Sequence, residues 1–190
     1  MIEIFEINDF LDAATREKIL AEMRAGTSAA APVYGKETSG AVDPLVRKAA
    51  RVEVLPETRL LVVRMLLDSK GKFGRHFGVA LNECEDPQFL HYRTGDFFVA
   101  HQDGNTPLIY DDSRFRKISV IIFLNSQSNE PLPGTYQGGD LVFHGGFPNY
   151  SDHRIAESQP GKLIAFRAET THEVIPVSGG ERFTIVSWFR

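Results

Sequence analysis

The chain divides by the period of its apolar positions. Residues 2–7 alternate as a short strand; Phe10, Leu11, Ile19, Leu20 and Met23 then recur at helical spacing, with Asn8 or Asp9 as the expected cap and Gly26 as the stop. Residues 27–44 are small, polar and punctuated by Gly and Pro, which predicts a loop with one strand around Val33. Arg51 to Leu55 alternates again. Pro56 suits a first helical position, and Leu60, Val63 and Leu67 predict a second helix that ends at Gly71.

From Gln88 onward helical periodicity is lost. Short β-branched and aromatic runs separated by Gly, Pro, Asn and Asp take over: Phe89–Tyr92, Phe97–His101, Lys117–Leu124, Asp140–His144, Ser151–Ala156, Leu163–Phe166, His172–Val177 and Arg182–Phe189. Eight such strands in about a hundred residues predict a mainly β fold of the α+β kind, a barrel or two-sheet jelly roll with the N-terminal helices packed on one sheet. No repeat, low-complexity tract or linker divides the chain. The expectation is one domain, 1–190, in which residues 1–87 support a catalytic core at 88–190.

Composition narrows the class. The 190 residues are 42% hydrophobic and include 14 Phe, enough apolar volume for a core and far from the composition of disordered chains. The single cysteine, Cys84, cannot form an intrachain disulfide, and acids stand where a secretory leader would carry Lys or Arg, so a reducing cytoplasm is expected. The longest apolar run, Leu60 to Leu67, is interrupted by Arg64 and falls short of a membrane span. A net charge of −4 with scattered basic residues argues against a nucleic-acid partner.

Candidate chemistry begins at the end of one predicted strand. His101 and Asp103 lie two residues apart, so period-two alternation turns an imidazole and a carboxylate to one face. A His-x-Asp pair alone is weak evidence. With His172, at the start of a late strand, it makes the two-His, one-carboxylate set of non-haem Fe(II) sites, which leaves coordination positions open. Such a site needs neutral imidazoles, so metal occupancy is expected to fall as pH drops through about 6.5. Arg182 follows ten residues after His172, and Thr184 shares its strand face; if the two strands are neighbours in a barrel, the guanidinium and hydroxyl sit deeper than the metal. A buried Arg implies an anion, and its planar fork matches a carboxylate. His76, His91, His144 and His153 read as hydrogen-bonded or surface imidazoles.

Taken in order, Tyr92-Arg93-Thr94-Gly95-Asp96-Phe97-Phe98, His101-Gln102-Asp103, Ile118 to Asn125, Gly138-Gly139-Asp140-Leu141, Gly161 to Phe166, His172 and Arg182-Phe183-Thr184 resemble the 2-oxoglutarate and Fe(II)-dependent oxygenases, in particular their prolyl 4-hydroxylase-like branch. The resemblance runs from about Leu55 to Arg190. It implies a double-stranded β-helix in which His101, Asp103 and His172 hold Fe(II), while Arg182, Thr184 and Tyr92 hold 2-oxoglutarate. It further implies use of O₂, release of succinate and CO₂, ascorbate as an accessory reductant, and hydroxylation of a prolyl residue in a protein or peptide, or of a proline-like or amino-acid small molecule.

Two positions depart from the family pattern or fit it loosely. Where relatives often place a cosubstrate-binding tyrosine, this chain has Phe123, which cannot donate a hydrogen bond. Arg116 stands where some relatives contact substrate, yet it also suits a solvated strand entrance. Gly138 and Gly139 suit a tight turn. The loops Gly104–Ser113 and Ser126–Gln137 are expected to form the cavity mouth and set substrate choice. Alkylation-repair dioxygenases carry a second Arg six residues beyond the first, where this chain has Trp188. A metal-binding barrel of the cupin sort without turnover is the other alternative; the dicarboxylate anchor at Arg182 and Thr184 argues against it. Oligomeric state is not encoded in any feature of the sequence.

Overall fold

The computed structural model describes residues 2–34, 40–107, 109–130, 132–146 and 151–190. Residues 35–39 of the predicted 27–44 loop, and Leu108 and Pro131 of the two predicted rim loops, lie outside the described residues. The strands are β1 (Ile4–Ile7), β2 (Ser28–Ala30), β3 (Arg47–Lys48), β4 (Ala50–Val52), β5 (Gln88–Arg93), β6 (Phe97–His101), β7 (Ile118–Phe123), β8 (Tyr136–Gly138), β9 (Leu141–His144), β10 (His153–Ile155), β11 (Leu163–Arg167), β12 (His172–Val174) and β13 (Val177–Phe189). The helices are α1 (Ala13–Ala25) and α2 (Pro56–Phe77).

Helix α1 starts later than predicted. Its cap is Asp12, whose carboxylate accepts from the Thr15 N–H at 2.9 Å. Asn8 and Asp9 belong instead to a turn in which Asp9 has a positive φ of 51°. That turn brings Leu11 onto Gly161, where its N–H donates to the Gly161 carbonyl and its side chain is buried.

Helix α2 has Pro56 at its first position but does not stop at Gly71; it continues through Gly74 to Phe77 and ends at Gly78 in the left-handed region. Two helical glycines cost about 1 kcal/mol each, and burial of Phe73 and Phe77 beyond them outweighs that. The buried face is Thr58, Val62, Leu66, Ser69, Phe73 and Phe77. The predicted stripe is therefore out of phase: Leu60 is 62% exposed and Leu67 42%. No helix among the described residues is long and apolar enough to cross a membrane.

The strands form two antiparallel sheets. The larger runs β1-β11-β7-β13-β5-β4-β2, with β8 added against the first half of β13; the smaller runs β10-β9-β12-β6-β3. Alternation along β7 and β13 sends Ile118, Val120, Ile122, Phe183 and Ile185 outward to a core shared with α1 and α2. The opposite face of the large sheet carries Leu90, Tyr92, Ile121, Phe123 and Phe166, which meet Leu141, Phe143 and Val174 of the small sheet. Each of the eight predicted strands is present, with ends moved by a few residues. Residues 1–87 do more than support them, because β4 extends the large sheet at β5 and β3 extends the small one at β6.

One topological expectation fails. The His172 and Arg182 strands are not neighbours: β12 lies between β9 and β6, whereas β13 lies between β7 and β5. They belong to opposed sheets and line the same cavity from two sides.

Candidate active site

Strand pairing assembles the first group. His172 on β12 sits directly opposite His101 on β6, and their rings lie 4.2 Å apart between centroids. Asp103, just beyond β6, is fixed by its N–H donating to the Ala168 carbonyl at 2.8 Å. Its two oxygens lie 3.5 Å from His101 Nε2 and 3.6 Å from His172 Nε2. One ligand atom from each residue falls within 4.8 Å of the others, so the three converge on a point where a single ion could be held. Among the described residues no other cluster of His, Cys, Asp and Glu does so.

The surroundings set the protonation that such a site requires. Nδ1 of His101 lies 2.8 Å from the Val99 carbonyl and Nδ1 of His172 lies 2.9 Å from the Thr170 carbonyl. Each carbonyl accepts the Nδ1 proton, which leaves the Nε2 lone pairs facing Asp103. Ser119 Oγ donates to Asp103 Oδ2 at 2.7 Å. Burial first, then the adjacent His101, pushes His172 down to about 4, so this imidazole stays neutral well below the threshold of 6.5 expected from the sequence. Burial opposes ionisation of Asp103, but His172, His101 and Arg116 together outweigh it and hold the carboxyl below its usual range.

Behind this cluster is a second one. Arg182 is 1% exposed, and its guanidinium carbon sits 5.1 Å from the Tyr92 ring centroid, 5.6 Å from Phe123 and 6.0 Å from Tyr136. Nη1 reaches Thr184 Oγ1 at 3.4 Å, while Nε and Nη2 are buried without a partner. The Tyr136 hydroxyl is likewise buried and unpartnered. Burying such donors without an acceptor is costly, so the arrangement fits an anion that supplies the missing oxygens. Gly139 makes the approach possible: at φ 65°, a Cβ there would come 2.9 Å from Val177 and 3.1 Å from Arg182 Cδ.

Tyr136 is the residue sequence reasoning missed. Phe123 does stand beside Arg182, opposite Thr184 across β7 and β13, and brings only a ring. The nearby hydroxyl comes from β8, whose pairing of Tyr136 with Gly180 carries it to the Arg182 strand. Its one local signal was a tyrosine two residues before the Gly138-Gly139 turn.

The two clusters share a cavity of about 240 Å³ that opens to solvent and is lined by His101, Asp103, His172, Tyr92, Arg182 and Thr184. Its mouth differs from expectation. Of the first predicted rim loop, 104–113, only Ser113 among the described residues lines it, with Asp103 and Arg116 on either side of that loop, and no described residue of 126–137 does. The reason is direction: β7 begins near the metal cluster at Ser119 and ends at Phe123 beside Arg182, so the segment after it leaves from the closed end. The 33–47 region supplies Val33, Tyr34, Val46 and Arg47 instead. Arg116 lines the mouth with its guanidinium already held by Glu85 at 2.7 and 2.9 Å and lying 3.8 Å over Trp188. The remaining imidazoles have structural partners: His91 faces Glu181 at 2.8 Å, His144 bridges Glu173 and His153, and His76 packs on Phe77.

A sequence profile described as the 2OG-Fe(II) oxygenase superfamily matches residues 87–190, more than half of the chain. The chain belongs to this superfamily. Fe(II), 2-oxoglutarate and O₂ are accordingly its metal, cosubstrate and oxidant, and the enzyme is an oxidoreductase. This oxygenase is 30% identical over 181 residues to a PKHD-type hydroxylase of Paracoccus denitrificans, covering 93% of this chain and 74% of the relative. It is 30% identical over 186 residues to another from Paraburkholderia xenovorans, covering 95% and 76%. Among solved structures, a Pseudomonas putida prolyl-4-hydroxylase shares the fold with a TM-score of 0.74 at 21% identity, covering 100% of this chain and 93% of that one. A Trichoplax adhaerens prolyl hydroxylase, solved with a peptide of hypoxia-inducible factor, does so at 0.70 and 18%, covering 98% and 82%.

Proposed function

We propose that this oxygenase hydroxylates a prolyl residue of a peptide, or a proline-like or amino-acid small molecule, with release of succinate and CO₂. His101, Asp103 and His172 hold Fe(II) through two Nε2 atoms and one carboxylate. Arg182 and Thr184 hold the distal carboxylate of 2-oxoglutarate, Tyr92 borders it, and Tyr136 donates the hydroxyl hydrogen bond that Phe123 cannot. The observation that carries this reading is the pairing of a three-ligand cluster with unpartnered buried donors in one cavity.

When bound, the iron and its cosubstrate supply the oxidising chemistry: O₂ contributes one oxygen atom to succinate and the other to the substrate, whose C–H becomes C–OH. The protein does the rest. The Val99 and Thr170 carbonyls fix both imidazole rings and their tautomers, and Ser119 orients Asp103. The ring of Phe98, stacked on His101 at 3.5 Å, and those of Phe143 and Phe166 against His172 keep water from the metal-facing wall. Arg116 carries no free charge to offer a substrate while Glu85 holds it; its weaker contact of 3.5 Å to the Asp103 carbonyl makes it a prop for the metal-binding segment.

The whole chain acts as one catalytic domain in this reading, with ascorbate as an external reductant and no nucleic-acid partner. Cys84, half-buried and with its thiol raised by burial, suits a reducing cytoplasm. Anaerobic addition of Fe(II) and 2-oxoglutarate should produce a weak visible charge-transfer band in the wild type and none at the same concentrations in His172→Ala or Arg182→Ala. No band in the wild type would sink the reading. Succinate release stimulated by proline-containing peptides, against the same peptides with alanine, tests the substrate class.

A further inference from the structure

The charged side chains that line the cavity can be matched with partners one by one. Asp103 faces the two metal-side imidazoles. Arg116 is ion-paired with Glu85. Arg182, on the proposed reading, receives the distal carboxylate of 2-oxoglutarate. Arg47 is left over.

Arg47 lies on β3 and is 5% exposed. Its guanidinium sits 4.8 Å over the ring of Phe98, the residue opposite it in the β3–β6 pair, and Phe98 in turn stacks on His101. Nη1 donates to the Pro32 carbonyl at 2.9 Å, which fixes the head of the side chain, while Nε is buried with no partner. No carboxylate among the described residues lies within ion-pair distance of it. Its neighbour Lys48 takes Asp96 at 3.3 Å. A guanidinium cannot shed its proton to escape this burial, so the site is built for an anion brought from outside. The walls beside it, Val33, Tyr34, Val46, Phe98 and Val99, are apolar or aromatic.

We propose that Arg47 is the anion anchor of the prime-substrate site, and that the substrate presents a carboxylate to it while an apolar C–H-bearing portion faces the metal cluster. A planar carboxylate matches the fork of the guanidinium, and the Pro32 hydrogen bond leaves the other donors pre-aimed. This rests on the oxygenase reading above and narrows its substrate class. The carboxylate belongs either to the reacting unit itself or to an acidic residue beside it in a peptide.

The test uses protein loaded anaerobically with Fe(II) and 2-oxoglutarate, and reads binding from paramagnetic broadening of the probe's proton resonances, which needs no turnover. The probes are N-acetyl-L-proline against its amide, and acetyl-Asp-Pro-amide against acetyl-Asn-Pro-amide. In at least one pair the acid should bind about tenfold more tightly than its neutral twin, the size of one charge-assisted hydrogen-bond pair. The preference should vanish in Arg47→Gln and partly return in Arg47→Lys. Whichever pair discriminates names the source of the carboxylate. Equal binding of acid and neutral twin in both pairs, or binding of neither, overturns the assignment, and because that comparison is made on the wild type it does not depend on how the variants fold. Absence of the charge-transfer band before any probe is added would instead overturn the oxygenase reading itself.

Discussion

The two faces of β13 make a controlled comparison, since they share one backbone. Phe183 and Ile185 point to the helices and are enclosed by aliphatic and aromatic neighbours. Arg182 and Thr184, the residues between and beside them, point into the cavity, where Arg182 keeps two donors with no acceptor. The helix face is complete as folded. The cavity face is not, and its deficit has a definite chemical sign: donors outnumber acceptors around Arg182, Tyr136 and Arg47. Stability and binding have thus been assigned to alternate residues, and the comparison can be attacked from either side.

The largest effect should come from the metal cluster. Asp103→Ala or His172→Ala removes one of the three proposed ligands and is expected to weaken Fe(II) or Mn(II) binding by at least about a hundredfold, measured by calorimetry under anaerobic conditions. Arg182→Met comes next: 2-oxoglutarate affinity should fall by about a hundredfold, while the melting temperature of the ligand-free protein holds or rises, because an unpaired buried charge has been replaced by an apolar chain of similar length. A loss of stability without a loss of affinity would erase the distinction between the faces. Ile185→Ala should do the reverse, costing about 2–5 kcal/mol in chemical denaturation with the 2-oxoglutarate dissociation constant unchanged.

Acid gives an effect of intermediate size. His172 titrates near 4 when folded against about 6.5 when unfolded, so between those values the unfolded chain binds more protons and stability falls as pH drops. For a buried group this is on the order of 3 kcal/mol, seen as a lower melting temperature of metal-free protein at pH 4.5 than at 7 and a flatter profile in His172→Gln. Asp103, depressed in the folded state, contributes stability that is present above about 3.8 and lost below it, which steepens the same limb. The smallest change is Tyr136→Phe: about a tenfold loss of 2-oxoglutarate affinity, with stability unchanged or slightly raised because an unpartnered hydroxyl is gone.

The sequence made the strands and the three-ligand cluster legible because both depend on local spacing. Period-two runs mark strands wherever they pair, and His101 and Asp103 share a face by alternation alone. Features that depend on partner choice were hidden. The position of His172 relative to Arg182 follows from the order of strands in two sheets, and Tyr136 reaches Arg182 only because β8 pairs with the first half of β13. Helix α2 misled for another reason. Its real inner face includes Thr58 and Ser69, while Leu60 and Leu67 sit outside, so a true helical period was present with the wrong phase. Gly71 suggested a stop that burial of Phe73 and Phe77 overrides.

The chain contains a single tryptophan, Trp188, and β13 places it opposite Ser119, the residue that hydrogen-bonds Asp103, and beneath the Arg116 guanidinium. The molecule therefore carries one fluorophore of its kind on the wall of the cavity, across the sheet from the serine that hydrogen-bonds Asp103. Its emission reports from a single known position, so quenching on titration with Fe(II), or a spectral shift on addition of cosubstrate, follows occupancy of the site without any label.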